Sequence, residues 1–97
     1  MAREQHHRLE STPLFSTESG PDSELLVVLI HGSLDRSGGM ALLARHVQSS
    51  HRVLRFDRRG YGKSWPHPGP FTVENHVDDL VTLVGNRKAV LVGHSFG

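Results

Sequence analysis

The sequence ends in Gly93-His94-Ser95-Phe96-Gly97, which places a serine between two glycines directly after the apolar residues 89–92. A serine on a sharp turn after a strand needs small residues two positions to either side, because larger side chains collide with the tight backbone. Such a turn presents the hydroxyl to solvent. It also directs the backbone N–H of the next residue, Phe96, at the place where a substrate oxyanion forms. The pattern therefore favours an exposed serine hydroxyl beside an oxyanion-binding amide, and the alternative is a chance occurrence of this spacing in a chain rich in glycine.

Two further polar segments follow apolar stretches of the chain. His31-Gly32-Ser33-Leu34 comes after residues 25–30, and Asp57-Arg58-Arg59-Gly60-Tyr61-Gly62-Lys63-Ser64 comes after residues 52–56. Loops at the carboxyl ends of parallel strands form the edge at which open α/β sheets bind ligands. We therefore expect both segments to meet Ser95 on one rim, where the first loop can supply a second oxyanion amide.

The elements that position these segments alternate between strand and helix. Residues 25–30 are uniformly apolar, as in a strand covered on both faces, and residues 52–56 and 89–92 are two more strand candidates. A first helix is predicted from the apolar spacing of Met40, Leu43, Ala44 and Val47.

A second helix is predicted between Thr72, placed as its cap, and Gly85-Asn86, placed as its end. Its apolar positions share one stripe and are Val73, Val77, Leu80, Val81 and Val84. Glycine and proline exclude a helix over residues 66–70.

This alternation predicts an α/β fold with a mainly parallel sheet of three strands and two helices. Residues 1–23 are polar and are expected to form an arm or a short β-meander, such as an N-terminal hairpin. Residues 24–97 form the α/β unit. The strand near residues 88–92 has an unpaired edge in this arrangement, which predicts aggregation or chaperone dependence.

Composition excludes several classes of protein. The 97 residues carry a formal charge of +1 with basic residues scattered along the chain, so we expect no nucleic-acid or membrane partner. The chain has no cysteine for a disulfide, a thiolate nucleophile or a Cys-ligated metal site. We expect no metal and no cofactor. The polar start and the short apolar runs predict a cytoplasmic protein. We also expect a small-molecule substrate. The sequence leaves the oligomeric state open.

The three motifs, in this order and spacing over residues 24–97, closely resemble the α/β-hydrolase fold family. The resemblance implies that Ser95 is the nucleophile and that the amide of Phe96 pairs with that of Ser33, or alternatively Leu34, in an oxyanion hole. It gives structural roles beside the site to His31, Gly32, Asp57, Gly60, Gly62, Gly93, His94 and Gly97. A serine at this position is unlike the epoxide hydrolase and haloalkane dehalogenase branches, which use aspartate.

The sequence departs from the family pattern after the serine. Family members carry an acid and then a histidine downstream of the nucleophile, whereas only Phe96 and Gly97 follow Ser95 here. We therefore interpret the chain as the N-terminal part of a serine hydrolase, inactive by itself because its serine has no base. The alternative within the same fold is a non-catalytic remnant or binding module.

Other polar residues have structural interpretations. His94 is adjacent to Ser95, but neighbouring side chains diverge at a sharp turn, so we expect packing rather than base chemistry. Asp78-Asp79 is expected on a solvated helix face. The remaining histidines lack metal-ligand spacing and are expected to be solvated at the surface; they are His6, His7, His46, His51, His67 and His76. Residues 57–64 end like a phosphate-binding loop, but Asp57 replaces a required glycine and no helix can begin after Ser64, which disfavours nucleotide binding.

Overall fold

A mixed sheet forms the centre of the computed structural model, which describes residues 3–9, 12–32 and 35–94, with side chains from residue 14 onward. Within these residues the strands are β1 (Arg3–Leu9), β2 (Thr12–Ser19), β3 (Leu26–Ile30), β4 (Arg52–Phe56) and β5 (Ala89–Gly93). Their spatial order is β1-β2-β4-β3-β5. β4, β3 and β5 are parallel, whereas β2 pairs antiparallel with both β1 and β4. The α/β class and the partial α/β-hydrolase fold are confirmed.

The predicted N-terminal hairpin is present and widens the sheet from three strands to five. β1 and β2 pair over their whole length, from Arg3 opposite Glu18 to Leu9 opposite Thr12. β2 then continues the sheet beyond β4, with Ser16 opposite Phe56. The hairpin therefore covers the edge of β4 that three parallel strands would leave unpaired.

Two helices connect the parallel strands. α1 (Ala41–Val47) follows a 3-10 turn at Ser37–Met40 and leads into β4, and α2 (Val73–Val84) leads into β5. The Thr72 hydroxyl oxygen accepts a hydrogen bond from the Asn75 amide at 3.2 Å, which is the predicted cap of α2. Gly85, with a φ of 65°, ends this helix. Neither helix of the described residues is long and apolar enough to cross a lipid bilayer.

Each face of the sheet has its own apolar core. On the α1 face the buried residues are Leu29, Met40, Ala44 and Val53. On the α2 face they are Leu14, Leu26, Val28, Ile30, Leu54, Phe56 and Leu83. Burial on both faces explains why β3 is apolar throughout, since every residue of such a strand faces a covering layer. The hairpin contributes Leu14 to the second core.

The orientation of α2 differs from the prediction. Asp79 is 3% exposed, so the expectation that it lies on a solvated face is wrong. Leu83, one turn later, is also buried, and Leu80 packs against the core. Val77 is 49% exposed and Val81 is 62% exposed. The side of α2 that meets the sheet is thus rotated from the valine stripe towards Asp79, whose carboxylate pairs with Arg59.

A carboxylate bound by two arginines lies at the amino end of the parallel strands. Glu18 accepts hydrogen bonds from Arg52 Nε at 3.2 Å and from Arg87 Nη1 at 3.0 Å. Burial by itself raises the pKa of Glu18, but the bonds and charges of Arg87 and Arg52 outweigh it and hold this pKa below its ordinary value. This cluster connects β2, β4 and the segment before β5, at the end of the sheet opposite to the predicted site.

β5 lies at one edge of the sheet, and two of its apolar side chains are not covered by other elements of the described chain. Val90 is 45% exposed and Leu91 is 53% exposed. We expect Leu91→Lys to weaken self-association about tenfold, because burying a leucine contributes roughly 1.5 kcal/mol or more. Sedimentation velocity over a concentration series measures this effect.

The matched control for this prediction is Leu42→Lys on α1, where the leucine is 69% exposed. The control adds the same charge at a distance from the open edge and is expected to leave self-association unchanged. Equal effects of the two substitutions would show that net charge, rather than the edge at β5, governs association.

Candidate active site

The backbone brings two of the predicted motif segments side by side. In the parallel pair of β3 and β5, Ile30 lies opposite Gly93. The next amide, that of His94, donates a hydrogen bond to the Ile30 carbonyl at 3.2 Å. The segment that begins at His31 and the segment that leads to residue 95 therefore leave the sheet at adjacent positions. The predicted residues Ser33, Leu34, Ser95, Phe96 and Gly97 themselves lie outside the described residues.

His31 connects the first loop with the segment that follows β4. Its side chain is completely buried. Nε2 accepts a hydrogen bond from the Arg58 amide at 3.0 Å, and Nδ1 lies 2.8 Å from the Gly32 carbonyl. An acceptor at Nε2 and a carbonyl at Nδ1 require the neutral ring with its proton on Nδ1. Both nitrogens are thereby occupied, so His31 holds the two loops together and has no nitrogen left for base chemistry.

The electrostatics of His31 agree with a neutral ring. Burial lowers its pKa, and the Arg58 charge lowers it further, against the opposing effects of the Gly32 carbonyl and the Asp57 carboxylate. The Tyr61 ring meets the imidazole edge to face at a centroid distance of 5.2 Å. The guanidinium of the buried Arg58 lies 4.8 Å from the same Tyr61 ring.

Asp57 organises the second loop through backbone amides. Its carboxylate is buried, and its two oxygens accept hydrogen bonds from the Ser37 amide at 2.7 Å and the Lys63 amide at 2.9 Å. Gly62 must lack a side chain here, since a Cβ would lie 2.5 Å from Asp57 Oδ2 and its φ is +48°. Asp57 thus joins the turn before α1 to the loop after β4.

Ser64 is part of the same scaffold and is not placed to bind phosphate. Its hydroxyl donates to the Asp57 carbonyl at 2.6 Å and accepts from the Phe15 amide at 3.0 Å. No helix follows it in residues 65–72. A phosphate-binding loop requires a free hydroxyl and a helix N-terminus at this point, so the structure gives residues 57–64 a structural role instead.

An ion pair of largely buried side chains joins the second loop to α2. The Arg59 guanidinium donates to both oxygens of Asp79, each at 2.7 Å, and its third nitrogen donates to the Pro70 carbonyl at 2.8 Å. The hydrogen bonds with Asp79 raise the pKa of Arg59. Gly60, at a φ of +85°, packs against the Phe71 ring, where a Cβ would come within 2.8 Å. This pair was missed from the sequence, since nothing local to Asp79 indicates an arginine 20 residues earlier.

An apolar groove of about 420 Å³ opens beside the rim, between α2 and β5. Its walls include Ile30, Phe56, Val77 and Leu91, with Arg58 at its polar end. His76 also lines the groove, and burial together with the Arg58 charge lowers its pKa. The expectation that His76 is a solvated surface histidine is therefore wrong. His94 is exposed on the rim, and the structure assigns its side chain no partner among the described residues.

Comparisons with known proteins agree with this geometry. A family model described as the alpha/beta hydrolase family matches residues 27–97. The proline iminopeptidase PfmaB of Pestalotiopsis fici is 33% identical over 85 residues, covering 80% of this chain and 30% of that protein. A non-heme chloroperoxidase of Burkholderia pyrrocinia is 29% identical over 92 residues, covering 91% of this chain and 33% of that protein. The crystal structure of an alpha/beta hydrolase from Sphaerobacter thermophilus aligns with a TM-score of 0.77 and 31% identity, covering 92% of this chain and 35% of that chain.

The fold and the position of its motif segments define a protein of the α/β class in which these segments meet at the carboxyl ends of the parallel strands. The chain belongs to the alpha/beta hydrolase family. It spans about a third of the length of these relatives.

Proposed function

We propose that this chain is the nucleophile-bearing N-terminal part of a serine hydrolase that cleaves an ester-like substrate by acyl transfer. The observation that carries the proposal is the adjacency of the two loop origins, with Gly93 opposite Ile30 and the His94 amide bonded to the Ile30 carbonyl. A serine one residue after His94 and an amide two residues after His31 then belong to one site. Ester, thioester, lactone, amide and carbon-carbon cleavage chemistry all fit such a site.

The proposed reaction begins at Ser95. A histidine supplied by residues beyond position 97 takes the proton of the Ser95 hydroxyl, and the oxygen forms a bond with the substrate carbonyl carbon. The negative charge that develops on the carbonyl oxygen is stabilised by the backbone N–H of Phe96 together with that of Ser33, or alternatively Leu34. The leaving group departs with a proton from the histidine. Water then attacks the acyl-serine and releases the acid.

The described histidines on the rim do not replace that base. Both ring nitrogens of His31 are bonded within the scaffold. His94 immediately precedes Ser95, and side chains of adjacent residues diverge at a tight turn. We therefore propose that residues 1–97 alone react slowly, since a serine without a base is a weak nucleophile near neutral pH. The cytoplasmic location stays a prediction.

Covalent labelling with a fluorophosphonate probe tests this proposal. The product of the complete reading frame is expected to be labelled at Ser95, and Ser95→Ala is expected to abolish labelling. Residues 1–97 alone are expected to react at least about 10³-fold more slowly than the complete product, because they lack a catalytic base. The matched control is Ser49→Ala, an exposed serine after α1, which should label like the unsubstituted protein.

Three results would contradict the proposal. Labelling that persists in Ser95→Ala would place the nucleophile elsewhere. Absence of labelling and of ester hydrolysis in the complete product would favour the non-catalytic binding module of the same fold. A rate for residues 1–97 equal to that of the complete product would contradict the need for a base from outside them.

A further inference from the structure

A second cavity lies on the α1 face of the sheet and gathers three cationic side chains. It measures about 380 Å³ and lies between the turn before α1 and the loop after β4. Arg36 comes from the first of these segments, Arg55 from β4 and Lys63 from the loop. Along the sequence these residues are separated by 19 and 8 positions, counting from 36 to 55 and from 55 to 63. The scattered basic residues therefore form a local positive cluster only in the folded chain.

The negative charge at this cavity is weaker than the positive charge. Asp57 is its one acidic lining residue among the described residues, and both oxygens of its carboxylate accept backbone amides. No carboxylate in the described part of the chain forms an ion pair with Arg36, Arg55 or Lys63. Three positive charges against one negative charge leave the cavity with a formal surplus of two.

Two of the cations are held in place by neighbouring groups. Arg55 Nη1 donates to the Ser37 carbonyl at 3.0 Å, which orients its guanidinium beside the cavity. The Lys63 ammonium lies 4.5 Å from the centroid of the Phe15 ring. An anion bound here would therefore meet one guanidinium that a hydrogen bond already orients, which lowers the entropy cost of ordering that side chain.

Glycines leave room around the third cation. A Cβ on Gly62 would lie 3.2 Å from Arg36 Cβ, and a Cβ on Gly38 would lie 3.4 Å from Arg36 Nε. Side chains at these positions would crowd the Arg36 side chain. The left-handed backbone of Gly62, with a φ of +48°, also places the Lys63 amide on Asp57. The same glycine thus keeps the carboxylate occupied and the cavity open.

We propose that this cavity binds a phosphate group, either as the free dianion or as a phosphate monoester. A surplus of two positive charges matches a dianion, and guanidinium groups bind tetrahedral oxyanions through charge-assisted hydrogen bonds. The side chains of Arg36, Arg55 and Lys63 supply these contacts, in contrast to a phosphate loop, which uses backbone amides before a helix. The proposal is independent of the proposed hydrolase chemistry, because none of these residues belongs to the predicted nucleophile or oxyanion site.

Isothermal titration with inorganic phosphate at pH 8, with ionic strength held constant by sodium chloride, tests the proposal. Saturable binding at one site is expected. Arg36→Gln and Lys63→Gln are each expected to weaken it roughly tenfold, because each removes a charged donor. The matched control Arg45→Gln removes an exposed cation from α1, outside the cavity, and is expected to leave the affinity unchanged. A second titration with glycerol 1-phosphate distinguishes a monoester from the free ion as the better ligand.

The outcomes separate cleanly. Heat no different from the sodium chloride blank would overturn the proposal, as would equal weakening by Arg45→Gln and Lys63→Gln. If a cavity variant does not fold, the site is instead mapped by the changes in amide chemical shifts that phosphate causes in the unsubstituted protein. Phosphate is then expected to shift the amides of Ser37, Gly62 and Lys63, and shifts spread evenly over the surface would overturn the site.

Discussion

Asp79→Ala is expected to lower the free energy of unfolding by about 3–5 kcal/mol, the usual cost of removing one partner from a buried ion pair. The substitution removes the carboxylate that neutralises the Arg59 guanidinium and accepts two of its hydrogen bonds. The Arg59 side chain is only 11% exposed, so water replaces these contacts poorly. The substitution also removes the connection between α2 and the Pro70 carbonyl, since Arg59 bonds to both Asp79 and Pro70. Urea unfolding followed by circular dichroism measures the change.

Asp78→Ala is the matched control, because Asp78 is the preceding residue on α2 and is exposed. Its expected effect is about 0.5 kcal/mol or less, as for other surface carboxylates. In the double variant Arg59→Ala/Asp79→Ala the loss is expected to be smaller than the sum of the two single losses, because no buried charge is left unpaired. Additive losses, or a control as damaging as Asp79→Ala, would show that the pair is not a buried clamp.

His31→Ala is expected to lower the free energy of unfolding by about 3 kcal/mol. The substitution empties a fully buried position and leaves the Arg58 amide without its acceptor, and both effects destabilise the folded state. Because His31 connects the loop after β3 to the loop after β4, amide exchange at residues 58–62 is expected to increase more than at β4 itself. The matched control is His94→Ala, an exposed histidine on the same rim, with an expected change below about 0.5 kcal/mol.

The pH dependence of stability provides a second measurement of the same contact. The folded-state pKa of His31 lies below its ordinary value of 6.5, so the unfolded chain binds this proton more readily. The contribution of His31 to stability is therefore complete above about pH 6.5 and is lost as the pH falls from there to the folded-state pKa. His31→Gln cannot titrate and is expected to flatten the stability curve below pH 6.5 relative to the unsubstituted protein. Parallel curves for the two proteins would contradict a buried neutral imidazole.

Local signals along the sequence were sufficient for most elements. β4 occupies residues 52–56 as predicted, and α2 begins after the Thr72 cap and ends before Gly85. These features depend on capping, apolar periodicity and glycine, which act over a few neighbouring residues. The order of strand and helix likewise predicted a parallel sheet, because a helix between two strands of one sheet usually connects them as a right-handed crossover between parallel strands.

The N-terminal hairpin shows where local signals became insufficient. Its residues are polar and the pattern left both an arm and a meander open, because β2 joins the sheet only through β4 and β1 joins it only through β2. Which edge of the sheet a hairpin covers is decided by the register of strands distant in sequence, and short patterns carry no information on that register.

The sequence by itself determined the class of the fold and the three motif segments, since glycine, serine and apolar runs are recognisable at short range. Only the tertiary structure decided which polar and charged groups meet: Arg59 with Asp79, His31 with the Arg58 amide, and three cations around one cavity. The physical reason is that ion pairs and buried hydrogen bonds join residues from different elements. Their partners are set by strand order and by the rotation of α2 on the sheet, neither of which is encoded in any one segment.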